Sequence, residues 1–228
     1  MKLKIIGTSH IAEQSIQEIK NYILAEKPEI IALELDAPRA AALLQGEKRK
    51  ITLSEISQIG FKGYLFVKLG QYLQQKLGKM VDVAPGSEMK MALELAQREK
   101  LQMALIDQPI RTTLKNFSRA LSWKEKMRFL GEILLSPFQG KKKLRELGLE
   151  EFDLRKVPQE KAVEKMMEQL KKSYPNIYKT LVEDRNKYMV KQLVKIMRNN
   201  PQKKILVVVG AGHKKGMEEL LQKIDIIS

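Results

Sequence analysis

Four short apolar runs constrain the fold of this chain more than anything else in it: Lys2–Gly7, Glu29–Leu35, Leu101–Asp107 and Lys204–Gly210. Each is shorter than an ordinary helix and rich in aliphatic or β-branched residues, the pattern of a buried strand. Apolar residues at consecutive positions put hydrophobic side chains on both faces of a strand. Only a sheet covered on both sides can bury them. Helical patterns follow three of the runs. Ile16, Ile19 and Ile23 recur at helical spacing in 11–25; APRAAALL follows LELD, with Asp36 placed to cap the helix and Pro38 in its first turn; KKGMEELLQKI follows VVVGAGH. The expected class is α/β, with a central parallel, mostly parallel or mixed sheet flanked by helices.

The middle of the chain reads as helical. Ser54 is placed to cap a helix through FKGYLFVKLGQYLQQKL, and a further helix starts near Ser87 or Glu88 after a Pro-Gly turn. Ser122 and Glu125 have the spacing of a capping box and open a helix with Met127, Leu130 and Leu134 on one stripe. Residues 140–157 read as a loop or frayed helix; Pro158 starts a helix bearing Val163, Met166, Met167 and Leu170, and Pro175 opens a long one to about Arg198. The whole, 1–228, reads as one α/β domain with a helical insertion at about 111–200.

Each outer strand run ends in Gly-x-x-His: Gly7 to His10 and Gly210 to His213, which account for both histidines of the chain. In an open parallel sheet, ligands bind beyond the carboxyl ends of the strands. Those ends carry His10, Glu34 and Asp36, Asp107, and His213. Imidazoles and carboxylates gathered on one edge suit divalent-metal binding or acid–base work. The glycines fit a strand that turns sharply into a helix, whose first N–H groups favour an anion. Asp36 reads as a helix cap. Glu34 interrupts an apolar run and requires a cation or hydrogen-bond donors. A cation is available on the long helix, where Tyr178, Leu181, Arg185, Tyr188, Met189, Gln192 and Ile196 form one apolar-leaning stripe with Arg185 in its middle. Arg185 is therefore expected to point inward and pair with an acid, whereas Glu183 reads as a surface partner of neighbouring lysines. GAGHKKG is not a dinucleotide fingerprint, because Gly216 falls one residue late and no acid-bearing strand comes after it.

Composition narrows the function classes. The absence of cysteine excludes disulfides, thiolate catalysis and Cys-type zinc sites. No apolar run is long enough to span a bilayer, and the expected location is the cytoplasm or the cytoplasmic face of a membrane. The net charge of +15 falls almost wholly in the second half, and residues 111–145 hold ten basic against two acidic residues, interleaved with Phe117, Trp123, Phe129 and Phe138. Such a segment suits nucleic acid, an anionic membrane surface or an acidic partner, or is simply solvated.

In order, GTSHIAEQS, LELDAPR, PGSEM, LIDQPIRTTL, EDRNKYM and VVVGAGH resemble the motifs of the TraB/PrgY family, a likeness that runs over nearly the whole chain. The family is related to Tiki proteases and GumN-like proteins, and more distantly to erythromycin esterases and haem-binding ChaN proteins. The resemblance implies an α/β core with both Gly-x-x-His motifs at one cleft. It implicates His10, His213, Glu34, Glu88, Arg185 and Asn186 as site residues, with His10, His213, Glu34 and Glu88 as metal ligands. Without the resemblance, Glu88 reads as an acid favoured by a helix N-terminus. Tiki-like members are described as metal-dependent proteases, and PrgY as an inhibitor of a peptide pheromone. The expected function is thus a metal-dependent hydrolase, a peptidase using Mn, Co or Zn, with Arg185 polarising a carbonyl or steadying a carboxylate. The alternative is a non-catalytic protein that binds a peptide or a ligand such as haem. Implied partners are a peptide or protein substrate and an anionic membrane surface near 111–145, with a homodimer allowed and nucleic acid not expected.

Overall fold

The structure is a computed structural model and describes residues 3–8, 13–46, 86–120, 122, 125 and 160–224. Several expectations lie outside those residues: His10, the helix after Ser54, Trp123, Phe129, Phe138, the stripe at Met127, Leu130 and Leu134, and the segment 140–157.

Among the described residues there are four strands, β1 (Leu3–Thr8), β2 (Ile30–Leu33), β3 (Gln102–Leu105) and β4 (Ile205–Gly210). They form one all-parallel sheet in the order β1-β4-β2-β3. The first and last strands are neighbours, with Leu3 opposite Ile205 and Thr8 opposite Gly210. Helices α1 (Glu13–Glu26), α2 (Ala37–Gln45) and α3 (Ser87–Arg98) come after the first two strands. Helix α4 (Ile110–Ala120) comes after β3; then come α5 (Glu160–Ser173), α6 (Pro175–Tyr178), a π-turn (Lys179–Glu183), α7 (Asp184–Asn199) and, after β4, α8 (Ala211–Gln222).

Strand alternation divides the core in two. Ile5, Ile205, Val207 and Val209 face one side and pack with Met189, Leu193 and Met197 of α7 and Met217 and Leu221 of α8. Ile6, Leu206 and Val208 face the other, against Ile19 and Ile23 of α1, Ala40 of α2 and Ala92, Leu93 and Ala96 of α3. The central strand β4 is buried at all six positions, as a strand with helices on both sides must be. The expectation of burial fails at β3. This is an edge strand, and Met103 and Leu105 are 41% and 38% exposed. The sequence shows an apolar run but not its place in the strand order.

Local rules hold at the caps. Asp36 accepts the Arg39 N–H at 2.9 Å and the Ile110 N–H at 2.8 Å, so one carboxylate serves the starts of α2 and α4. Gly46 closes α2 in the left-handed region. The Ser122–Glu125 capping box is present, with Glu125 N–H to Ser122 Oγ at 3.2 Å and Ser122 N–H to Glu125 Oε2 at 3.0 Å. Glu125 reaches further than its own turn: it also accepts the Asn176 backbone N–H at 2.8 Å and the Asn176 side-chain amide at 2.9 Å. It therefore caps the helix that leads to α7. Nearby, Phe117 packs with Tyr174 and Ile177, fastening α4 to the same helix.

The long helix departs from its expected stripe. The buried positions on α7 are Asn186, Met189, Val190, Leu193, Val194 and Met197, so the apolar face is centred about one residue later than the spacing from Tyr178 suggests. The π-turn is the cause, because its wider turn rotates every later residue about the helix axis. On α4, Arg111, Lys115 and Arg119 are exposed at successive turns. Among the described residues no helix is long and apolar enough to cross a membrane.

Glu125 gives a pH prediction. Burial pushes its carboxyl pKa up, but hydrogen bonds from Asn176 and Ser122 outweigh burial and set it below the ordinary glutamate value. A depressed folded-state pKa contributes stability above the unfolded pKa and loses it as pH falls through the folded one. Glu125→Gln should cost about 1 kcal/mol at neutral pH, and the difference should close as the solution is acidified below the glutamate range. Thermal unfolding of both proteins across pH checks this; a gap that widens on acidification refutes it.

Candidate functional site

The carboxyl edge of the sheet collects the polar residues that the strand-end rule anticipates. Glu34 follows β2, Asp107 follows β3, and His213 lies in the first turn of α8 beyond β4. All three are buried, at 3%, 5% and 8% exposure. Arg185 reaches them from the first turn of α7, just after the π-turn.

The Arg185 guanidinium is the hub. Its Nε donates to Asp107 Oδ1 at 3.0 Å and its Nη2 to Asp107 Oδ2 at 2.8 Å, a two-pronged pairing. Nη2 also donates to Glu34 Oε1. Nη1 donates to the Leu181 carbonyl at 3.2 Å and faces His213 Nε2 at 3.0 Å. Together these contacts engage all five N–H groups of an arginine. Burial alone would lower the pKa of the guanidinium, but Glu34 and Asp107 overcome it and raise the pKa, so the group stays charged. As the sequence led one to expect, Arg185 pairs with acids, here Glu34 and Asp107. No N–H is left for a substrate carbonyl in this arrangement.

The carboxylates have further partners. Asp107 accepts the Gln108 N–H at 2.7 Å and Arg39 Nη1 at 2.7 Å. Glu34 Oε2 accepts the Gly210 N–H at 2.6 Å, so the anion at the start of α8 is the protein's own glutamate.

The hydrogen bonds around His213 define its tautomer. A guanidinium has only donors, so Nε2 must accept and carries no proton. Nδ1 then carries it and donates to Asn186 Oδ1 at 2.7 Å. His213 is therefore a neutral imidazole with its bare nitrogen toward Arg185, and that nitrogen stands 3.4 Å from Glu34 Oε1. The fixing of one ring nitrogen by the hydrogen bond of the other is general for histidine.

Of the residues singled out in the sequence, Glu34, Arg185, Asn186 and His213 come together. Glu88 is buried in the first turn of α3 and is not among the partners of Arg185. Glu183 is a surface residue that pairs with Lys171 at 3.5 Å. Asp107 had only its place at a strand end to recommend it, and that place is what brings it to Arg185. The expected reason for the motif glycines changes. Gly210 has ordinary backbone angles of −59° and 143°. Gly7 is needed for close approach, since a Cβ there would stand 3.2 Å from Ala211 Cα and from Lys214 Cβ. The second Gly-x-x-His unit thus packs on the first glycine of the other.

Among the described residues no group of three or more His, Asp or Glu side chains is arranged to hold a metal ion. Glu34 Oε1 and His213 Nε2 are close enough to share one, but the single lone pair of Nε2 faces Arg185. With Arg185 in place these two residues do not fit an ion together.

An open parallel sheet with a half-buried arginine, two carboxylates and a histidine at its carboxyl edge defines the class: an α/β protein with a polar strand-end site. The chain belongs to the TraB/PrgY/gumN family, whose model matches residues 2–226. It is 34% identical over 223 residues to an uncharacterized protein of Methanocaldococcus jannaschii, with 97% of this chain and 53% of that protein covered. It is 24% identical over 247 residues to the human TraB domain-containing protein, with 96% of this chain and 62% of that protein covered. The chain thus spans between about half and two thirds of the length of these relatives. Among solved structures, an erythromycin esterase mutant in its open conformation aligns with 92% of this chain and 60% of its own, at 14% identity and a TM-score of 0.35.

The hub is testable. Arg185→Leu strands Glu34 and Asp107 as buried charges and should cost about 3–5 kcal/mol, the range for breaking a buried ion pair from one side. Urea unfolding of the variant measures it, and a loss under about 1 kcal/mol would contradict the network.

Proposed function

We propose that the chain is a hydrolase acting on peptides, with His213 as its reacting imidazole. The observation that carries this reading is the neutral His213 ring, held in one tautomer by Asn186, with its bare nitrogen at the strand-end cluster. An imidazole so held is ready to take a proton. Arg185 Nη1 covers Nε2 and also donates to the Leu181 carbonyl. A substrate that displaces Nη1 from Nε2 leaves the guanidinium anchored by Asp107, Glu34 and Leu181. The exposed Nε2 then removes a proton from water as the water oxygen attacks the peptide carbonyl carbon. As the C–N bond breaks, the same proton passes to the departing amine.

A cavity of about 410 Å³ runs along Lys4–Gly7 of β1, with Lys171 and Glu168 among the side chains of both signs that line it; it meets the cluster at Asn186 and is not lined by His213. A metal-activated form of the same reading requires Arg185 to leave His213 and His10 to join it.

Peptide cleavage by the purified protein tests the proposal, with the metal-stripped form and the form supplied with Mn, Co or Zn assayed side by side. His213→Ala should lower the rate by about 10²–10⁴, the usual contribution of a general base. Cleavage only with added metal selects the metal-activated form. Tight peptide binding without cleavage in every condition refutes the hydrolase and leaves a binding protein.

A further inference from the structure

We infer that Gly216, the last residue of GAGHKKG, is a positioning residue: its missing side chain makes the space for the Asn186 amide that fixes the His213 proton on Nδ1. Gly216 lies three residues after His213 on α8 and so shares its side of the helix. A Cβ on Gly216 would stand 2.4 Å from Asn186 Nδ2 and 3.5 Å from Asn186 Cγ. The first distance is far inside van der Waals contact. Gly7 and Gly212 meet their nearest atoms at 3.2 Å, and at Gly212 the neighbour is the flexible Met167 thioether, which can give way.

The crowded atom at Gly216 has no such freedom. Asn186 is 4% exposed, and its Nδ2 and Oδ1 are fixed to the same planar carbon. Any rotation about the Cβ–Cγ bond that carries Nδ2 away from a Cβ at 216 also swings Oδ1. The 2.7 Å bond to His213 Nδ1 is then lost or bent. The amide cannot simply turn over either. That would place an N–H against the N–H of Nδ1 and remove the acceptor that holds the proton there. The glycine, the amide and the imidazole proton are therefore one unit. In the sequence Gly216 shows only as a glycine in the wrong place for a nucleotide motif. Its contribution appears once α7 is laid against α8.

The inference rests on the proposed function only for its effect on rate. The proton position can be read without any activity. The chain has two histidines, so nitrogen NMR of the labelled protein contains two imidazoles, and His10→Gln assigns them. In the unmodified protein the His213 ring should show a protonated Nδ1 and a bare Nε2. Gly216→Ala should lose that pattern, and Gly212→Ala should keep it. In an Asn186→Ala background, Gly216→Ala should change neither the His213 signals nor the unfolding midpoint, because no amide remains to meet. If Gly216→Ala alone fails to fold, recovery of folding in the double variant supports the inference. An unchanged His213 tautomer in Gly216→Ala overturns it, as does equal damage with and without Asn186. If peptide cleavage is present, Gly216→Ala and Asn186→Ala should lower kcat by the same factor. Absence of cleavage in every variant counts against the hydrolase and leaves the NMR result standing.

Discussion

One guanidinium holds together the elements that the rest of the chain brings to the carboxyl edge. Arg185 links the end of β2 through Glu34, the end of β3 through Asp107, the start of α8 through His213 and the π-turn through Leu181. Removing so many charges from water is costly, and the arrangement persists because each is matched. Arg185 and the partly exposed Arg39 balance Glu34 and Asp107, while His213 stays neutral. The histidine's proton is held from both sides: Arg185 donates to one ring nitrogen and Asn186 accepts from the other.

The π-turn serves the same hub. An insertion of this kind widens one turn and shifts the later residues around the helix axis, and such insertions gather at functional sites. Here it lies directly before Arg185 and contains Leu181, whose carbonyl takes one of the guanidinium bonds. It also turns Asn186 toward the buried side, where a regular helix read from Tyr178 would put Arg185 at the centre of the stripe. Lys179 and Asp184 pair at 2.8 Å across the turn on its outer side.

How much of this structure can be read from the sequence depends on how locally each feature is determined. The four strands were legible because their apolar runs have few other uses, and the Asp36 cap and Ser122–Glu125 box because capping is decided within one turn. Glu34 was legible because a carboxylate in a buried run must have a partner. The exposure of β3 was not, since it depends on strand order. The face of α7 was displaced because periodicity assumes one kind of helix, and KTLVE carries no obvious sign of a π-turn. Glu125's grip on Asn176, like Gly216's fit to Asn186, joins residues distant in sequence but adjacent in space. Single-chain periodicity holds no record of such pairs.

The position of β4 also governs the order in which this molecule can take shape. Interior strand β4, which joins β1 to β2, is the last of the four described strands in sequence, and its partner β1 is the first. Until β4 has left the ribosome, β2 can pair only with β3, and β1 has no strand beside it. About two hundred residues separate Leu3 from Ile205, so closing that pairing is a distant encounter of the kind that slows folding. The polar edge is completed only then, because Gly210 ends β4 and His213 follows directly after it. During synthesis, then, the sheet and its site are completed together, by whichever moment releases β4.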